Sequence, residues 1–237
     1  MKKSIFLLAI YLFLFQQCNS QPATPEPEET GTWASATEIN ARLGKGINIG
    51  NTFEAMPSWQ SPFDPADLKR IADLGFTHVR LPIRWERDDR SMSSPPYTIK
   101  SEFLQTIRSA VDEALKQKLH IIINMHHHDA LMANPAGEKA RFLSQWEQIA
   151  DYFKDYPDSL LFEILNEPHD KLTPALWNDY AKEALQVIRE TNPKRCVLIG
   201  IAEWGGVGGL KSLEIPDDPQ LILTVHYYNP FQFTHQG

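Results

Sequence analysis

The sequence lacks several features that would each point to a particular function. No run of lysine and arginine interrupts a mildly acidic composition of 23 basic and 30 acidic residues, which argues against a nucleic-acid partner. Only two cysteines are present, so Cys196 has no disulfide partner if Cys18 is lost or lipidated. No G-x-G-x-x-G turn follows the first predicted strand, so a dinucleotide-binding fold has little support.

The first twenty residues have the pattern of an export signal. Two lysines precede an apolar run at 5–15 that is too short to span a bilayer as a permanent helix. Two processing routes remain open: lipidation of Cys18, although residues 15–17 match the usual small-residue motif poorly, or cleavage after Ser20. The protein is therefore predicted to be exported, and to be either extracellular or anchored at the outer membrane or cell surface.

Residues 21–32 read QPATPEPEETGT and predict a solvated Pro/Glu-rich linker. The folded domain is expected at 33–237, where short apolar runs alternate with amphipathic helical patterns. Four helices are predicted, at 64–75, at 101–117, at 139–153 and from Thr173-Pro174 onward. Six runs without polar alternation, as expected of strands buried on both faces, lie at 46–51, 77–83, 120–126, 160–167, 196–201 and 221–228.

This strand–helix repetition indicates an α/β fold with right-handed βαβ units in a parallel sheet. The sheet is expected to be either doubly wound or a TIM (β/α)8 barrel. Polar and titratable residues gather at the carboxyl ends of the runs, where a TIM barrel forms its active site. They are Asn51, Arg80, His126, His127, Asn166, Glu167, His226 and Tyr228. The pattern therefore favours a barrel with about the first six β/α units present.

The most informative stretch is LFEILNEP at 161–168. An apolar strand is predicted to deliver Asn166 and Glu167 to its own end, where Pro168 turns the chain away. A half-buried carboxyl there is expected to have a raised pKa, which suits general acid catalysis.

These segments resemble glycoside hydrolase family 5, in its endoglucanase–mannanase branch. Five motifs match in order: GINIGNTFEA, HVRLPIRW, INMHHHDAL, LNEP and VHYYNPFQFTHQG. The resemblance covers residues 42 to 237 and implies a retaining endo-glycosidase that hydrolyses β-1,4-linked polysaccharide, either cellulose and related β-glucan or mannan. It implies no cofactor, a polysaccharide or oligosaccharide partner, and a monomer if the domain is complete.

The resemblance also assigns roles to individual residues. Glu167 would be the acid/base, Asn166 would bind the sugar 2-hydroxyl, and Arg80 would keep the nucleophilic carboxylate ionised. The other catalytic positions would be His226 and Tyr228. The substrate-binding positions would be Asn51, Glu54, His126, His127 and His235.

Several of these residues have plainer interpretations that the sequence leaves open. Arg80 could form an ion pair inside the barrel, and Glu54 could be an ordinary surface residue. The cluster from His126 to Asp129 invites a metal site, but adjacent strand residues face opposite ways, so no metal is predicted and His128 is treated as a loop residue. Trp59, Trp85 and Trp204 could each be a sugar-stacking platform or a loop anchor.

The resemblance places the nucleophilic glutamate on a seventh strand, and no seventh strand is recognised in the sequence. Glu203 is interpreted as a loop or subsite residue, because the family does not use that position as nucleophile. We therefore expect a C-terminally truncated barrel that is inactive by itself. The main alternative is a catalytically inactive carbohydrate-binding barrel, and a metal-dependent hydrolase is a weaker one.

Overall fold

The computed structural model describes residues 33–236. The predicted export signal, Cys18 and the whole Pro/Glu-rich linker at 21–32 lie outside these residues. Within them, six parallel strands form one sheet in which each strand pairs with its neighbour in the sequence. The predicted α/β fold with six β/α units is confirmed, and the doubly wound alternative is wrong because its strand order would reverse partway through the sheet.

The strands are shorter than the apolar runs that predicted them. They are β1 Gly46–Asn48, β2 His78–Leu81, β3 His120–Asn124, β4 Leu160–Glu163, β5 Val197–Ile199 and β6 Leu221–Leu223. The helices are α1 Ala36–Leu43, α2 Pro65–Asp73, α3 Ser101–Lys116, α4 Asp129–Ala133, α5 Pro135–Tyr152, α6 Pro174–Thr191 and α7 Phe231–Thr234. A 3₁₀ helix spans Val207–Ser212 between β5 and β6.

Local capping explains where the helices start. The Asp64 side chain accepts a hydrogen bond from the Ala66 N–H at 2.9 Å, and Pro65 occupies the first position of α2. Thr173 and Pro174 start α6 in the same way. The start of α5 was predicted four residues too late, because Asn134 and Pro135 give this signal before the apolar pattern begins.

The two faces of the sheet belong to two separate cores. Alternate residues such as Ile121 and Phe162 pack against the helices, in the larger core. Their neighbours, such as Ile122 and Leu161, face the other way and pack against α1. The segment at the start of α1 also bonds to residues just before β4 and β6, so α1 lies at the amino-terminal end of the strands. This arrangement leaves the carboxyl ends of the strands open for a site.

Residues 33–236 contain no helix that is both long and apolar enough to cross a membrane.

Candidate active site

A cleft of about 400 Å³ opens at the carboxyl ends of the strands. Eight of the ten predicted site residues line it: Glu54, Arg80, His126, His127, Asn166, Glu167, His226 and Tyr228. Asn48, Gly50, Pro82, Thr224 and Tyr227 complete the lining. The structure thus brings together residues of β1 and β2 and of the segments that follow β3, β4 and β6.

Arg80, on β2, forms a bidentate ion pair with Glu163 at the end of β4. Its Nε and Nη2 lie 2.5 and 2.6 Å from the two carboxylate oxygens. The Glu163 side chain is 1% exposed and that of Arg80 is 16% exposed. Burial opposes the charge of Arg80, but the attraction of Glu163 prevails, so the pKa of Arg80 is raised. Among residues 33–236, Arg80 therefore pairs with Glu163, which is the interior ion pair that the sequence left open as an alternative.

Glu163 was not predicted as a site residue. It accepts both bonds from Arg80 and lies opposite Asn124 of β3, whose Nδ2 is 3.4 Å from its Oε1. A signal was present in the sequence: Glu163 is a charged residue inside a run of Leu, Phe and Ile, and a charge buried there needs a partner.

Asn166 is held by the same arginine. Arg80 Nη2 donates to Asn166 Oδ1 at 2.8 Å, and Asn166 is only 6% exposed. Because the amide oxygen accepts from Arg80, the amide NH₂ group is left for another acceptor. The ion pair therefore orients a hydrogen-bond donor at the cleft.

Glu167 lies four residues beyond β4 with a positive φ of 45°, so the prediction that β4 itself delivers it is wrong. Its Oε1 is 2.5 Å from His226 Nδ1 and accepts a hydrogen bond from the Tyr228 hydroxyl at 3.0 Å. Burial raises the pKa of Glu167, but these two donors outweigh burial and the pKa is lowered. The expectation of a raised pKa is therefore wrong for Glu167 among these neighbours.

The two histidines after β3 are neutral groups at the cleft. Burial, with the nearby positive charge of Arg80, lowers the pKa of His126 to about 2. Burial and then Arg84 lower the pKa of His127. The two ring centroids lie 4.7 Å apart and the ring planes are at 82° to each other. A neutral imidazole can both donate and accept a hydrogen bond, as recognition of hydroxyl groups requires.

Glu54 is not the plain surface residue that the sequence left open, because it is only 5% exposed. Its carboxylate accepts hydrogen bonds from the backbone N–H groups of Asn51 and Thr52.

Two predicted site residues do not line the cleft. Asn51 is exposed and has a φ of 61°. His235 is also outside the lining; it stacks on Phe231 with ring centroids 3.8 Å apart.

The three tryptophans are separated by burial. Trp85 is a core anchor, fully buried, and its Nε1–H donates to the Asn124 backbone oxygen at 2.8 Å. Trp59 and Trp204 are 49% and 57% exposed. Trp204 stacks on His169 with ring centroids 3.6 Å apart, and both line a hollow of about 380 Å³ that Glu203 also borders.

His128 is a loop residue that turns out to be fully buried. It precedes α4, and burial lowers its pKa to about 3. Its Nε2 lies 3.5 Å from Glu138 Oε2, a separation too long for good hydrogen-bond geometry. Within residues 33–236, no three His, Cys, Asp or Glu side chains converge in a way that could hold a metal ion.

The sequence model of the cellulase family (glycosyl hydrolase family 5) matches residues 36–237. Among curated proteins, the chain is 40% identical over 201 residues to endoglucanase H of Acetivibrio thermocellus, covering 84% of this chain. It is 30% identical over 243 residues to an endoglucanase B of Ruminococcus albus, covering 90% of this chain. The chain belongs to glycosyl hydrolase family 5.

Solved structures agree with this assignment. The endoglucanase Cel5A of Thermotoga maritima superposes with a TM-score of 0.82 at 46% identity, covering 86% of this chain. The six-stranded sheet is therefore part of a TIM barrel. The chain spans 22% of the A. thermocellus protein, 58% of the R. albus protein and 66% of the T. maritima structure.

Proposed function

We propose that the cleft is the active site of a retaining endo-glycosidase acting on β-1,4-linked polysaccharide. The observation that carries the proposal is the Glu167 carboxylate, which faces the cleft beside Asn166 while His226 and Tyr228 bond to its Oε1. In this mechanism Glu167 protonates the leaving glycosidic oxygen and later removes a proton from the attacking water. The Asn166 amide NH₂ donates to the sugar 2-hydroxyl, a contact that strengthens in the transition state.

The mechanism needs Glu167 to carry a proton at its first step. The lowered pKa of Glu167 therefore agrees with the mechanism only if another group favours the protonated form. In a retaining site a second carboxylate about 5 Å away does so, because two neighbouring carboxylates resist simultaneous ionisation. The other carboxylate among the described lining residues is Glu54, which is held by two backbone N–H groups. Residues 33–236 therefore provide the acid/base and the sugar-binding groups, and we expect the chain alone to be inactive.

Both β-glucan and β-mannan are proposed as substrates. The T. maritima Cel5A, 47% identical to this chain, has been solved with mannotriose and with cellobiose. Sugar rings would stack on Trp204 or Trp59, the two exposed tryptophans among residues 33–236.

The experiment supplies a nucleophile from solution, because the cleft lining within residues 33–236 offers no uncommitted second carboxylate. An aryl β-cellobioside is mixed with the chain and with azide, which attacks the anomeric carbon from the α face while the β-glycosidic C–O bond breaks. Glu167 gives its proton to the departing phenol oxygen. The expected result is azide-dependent formation of α-cellobiosyl azide, which Glu167→Gln abolishes for an aglycone that needs protonation. Glu147→Gln, on the exposed face of α5, is the matched control.

A second candidate function is carbohydrate binding without catalysis. It is favoured by the lack of a second, uncommitted carboxylate among the described lining residues. Calorimetric titration with cellotetraose and mannotetraose, together with no azide-dependent product, would support it and would rule out the catalytic proposal. Failure of both binding and rescue would refute both candidates.

We also propose that residues 1–20 act as an export signal, with a lipid anchor at Cys18 as one outcome, and that 21–32 link the signal to a folded domain at 33–237. Mass spectrometry of the mature protein decides between a lipidated Cys18 and cleavage after Ser20.

A further inference from the structure

The chain makes an unusual turn after β5. Three consecutive residues, Glu203, Trp204 and Gly205, have φ values of 60°, 66° and 74°. Non-glycine residues rarely occupy this left-handed region, because their side chains strain the backbone there. Two such residues side by side indicate that the turn is held in place by its surroundings.

One side of the turn contacts the segment that carries Glu167. The Trp204 N–H donates to the Pro168 backbone oxygen at 3.3 Å, and the Trp204 ring stacks on His169. His169 Nδ1 in turn lies 2.6 Å from the backbone oxygen of Glu167. Through these contacts, the turn is fixed relative to the backbone of Glu167.

The other side of the turn contacts His226. The His226 N–H donates to the Gly205 backbone oxygen at 2.9 Å. A Cβ atom built on Gly205 would lie 2.9 Å from His226 Cγ and 3.2 Å from its Cβ. Real Cβ atoms do not approach other atoms so closely, so any side chain at position 205 would displace His226. His226 Nδ1 is the atom 2.5 Å from Glu167 Oε1.

We propose that Gly205 is a positioning residue: because it has no side chain, His226 can lie against the turn and reach the Glu167 carboxylate. The turn of residues 203–205 thereby links the backbone of Glu167 to the imidazole that bonds its carboxylate. The inference deepens the proposed function, since it assigns a residue that sets the charge state of the acid/base. Gly205 itself touches no substrate in this scheme.

A plainer role for Gly205 would be only to allow a positive φ. Gly75, after α2, provides a matched control, because its φ is 84° and nothing lies within 4 Å of where its Cβ would be. Gly75→Ala and Gly205→Ala therefore both place a side chain at positive φ, and only the second pushes on His226. Gly205→Asn is a further variant, because asparagine tolerates positive φ better than alanine does.

The test is a carboxyl ¹³C NMR titration of the chain labelled at glutamate, with the Glu167 signal assigned by its loss in Glu167→Gln. In the wild-type chain the Glu167 midpoint should lie below the ordinary glutamate value. In Gly205→Ala and Gly205→Asn it should move upward to the midpoint seen in His226→Ala, because burial is then opposed less. In Gly75→Ala it should stay at the wild-type position, although the thermal midpoint falls.

A Glu167 midpoint that is the same in wild type, Gly205→Ala and Gly205→Asn would overturn the inference. If Gly205→Ala does not fold, Gly205→Asn alone decides. The titration needs no substrate, so its outcome is independent of the azide rescue that tests the proposed function.

Discussion

Replacing Glu163 by glutamine tests how strongly the site depends on the buried ion pair. The substitution keeps the size of the side chain but removes its charge and turns one acceptor into a donor. One of the two Arg80 bonds, at 2.5 and 2.6 Å, then faces an N–H group. The guanidinium is left inside the protein with one glutamine oxygen at position 163, Asn166 and Asn48 as its remaining acceptors.

The magnitude follows from the burial of the pair. Removing one partner of a buried ion pair costs about 3–5 kcal/mol. Arg80 keeps three amide oxygens as acceptors, at positions 163, 166 and 48, and is 16% exposed, so we expect the lower end, about 3 kcal/mol. For a domain of this size, that loss lowers the thermal midpoint by about 6–12 °C.

The assay is urea unfolding followed by tryptophan fluorescence, with the free energy of unfolding taken from the midpoint and slope. Asp73→Asn breaks the exposed Lys69–Asp73 pair on α2 and serves as the control, with a much smaller expected effect. A loss below about 1 kcal/mol for Glu163→Gln would refute the view that the pair is a strong constraint on the site.

Three further predictions concern buried titratable groups. Burial, only partly opposed by Arg84, raises the pKa of Glu86 to about 7, so the folded chain holds a proton between its ordinary pKa of 4.5 and about 7. Stability should fall as pH rises through this window, and Glu86→Gln should remove that fall and unfold at higher urea than wild type at pH 8; an unchanged slope would contradict the assignment. Burial lowers the pKa of His128 from 6.5 to about 3, so its contribution to stability should be lost as pH falls from 6.5 toward 3. His128→Leu should flatten that acid limb in urea titrations, and a limb identical to wild type would show that other groups cause it. Burial raises the pKa of Cys196 to about 12, so in a Cys18→Ser chain iodoacetamide should react with it only after unfolding; alkylation of the native chain, detected by mass spectrometry, would show that the thiol is accessible.

Local signals in the sequence predicted the fold better than the details of the site. The starts of α2 and α6 depend on neighbouring residues, Asp64 with Pro65 and Thr173 with Pro174, and these signals are fully visible in the sequence. The predicted strands end up to five residues too far along the chain. The cause is that each predicted run included residues that follow the strand, such as Asn166 and Glu167 after β4. The helix α1 was not predicted, because it precedes the first strand and helices were expected only between strands. Its residues pack against one face of the sheet.

The site could be predicted as a set of residues but not as a network. The resemblance to family 5 predicted Glu167 and nine other site residues, of which eight in all line one cleft, and the sequence correctly indicated that Glu167 is partly buried. Its charge state depends on His226 and Tyr228, which are 59 and 61 residues away in the chain. The partner of Arg80 is likewise 83 residues away, so only the three-dimensional structure reveals that Glu163 neutralises it.

The order of strands in the sheet has a consequence for the growing chain. Each strand pairs with its neighbour in sequence, so β1, β2 and β3 can assemble before β4 has been made. Arg80 would then wait for Glu163 through 83 residues of synthesis, which at 5–20 residues per second is roughly 4–17 s. For the last part of that interval, after Asn124 and before Glu163, a sheet of three strands would carry Arg80 without the carboxylate that neutralises it. The newly made sheet of β1, β2 and β3 should therefore stay loosely packed, and accessible to chaperones, until β4 leaves the ribosome.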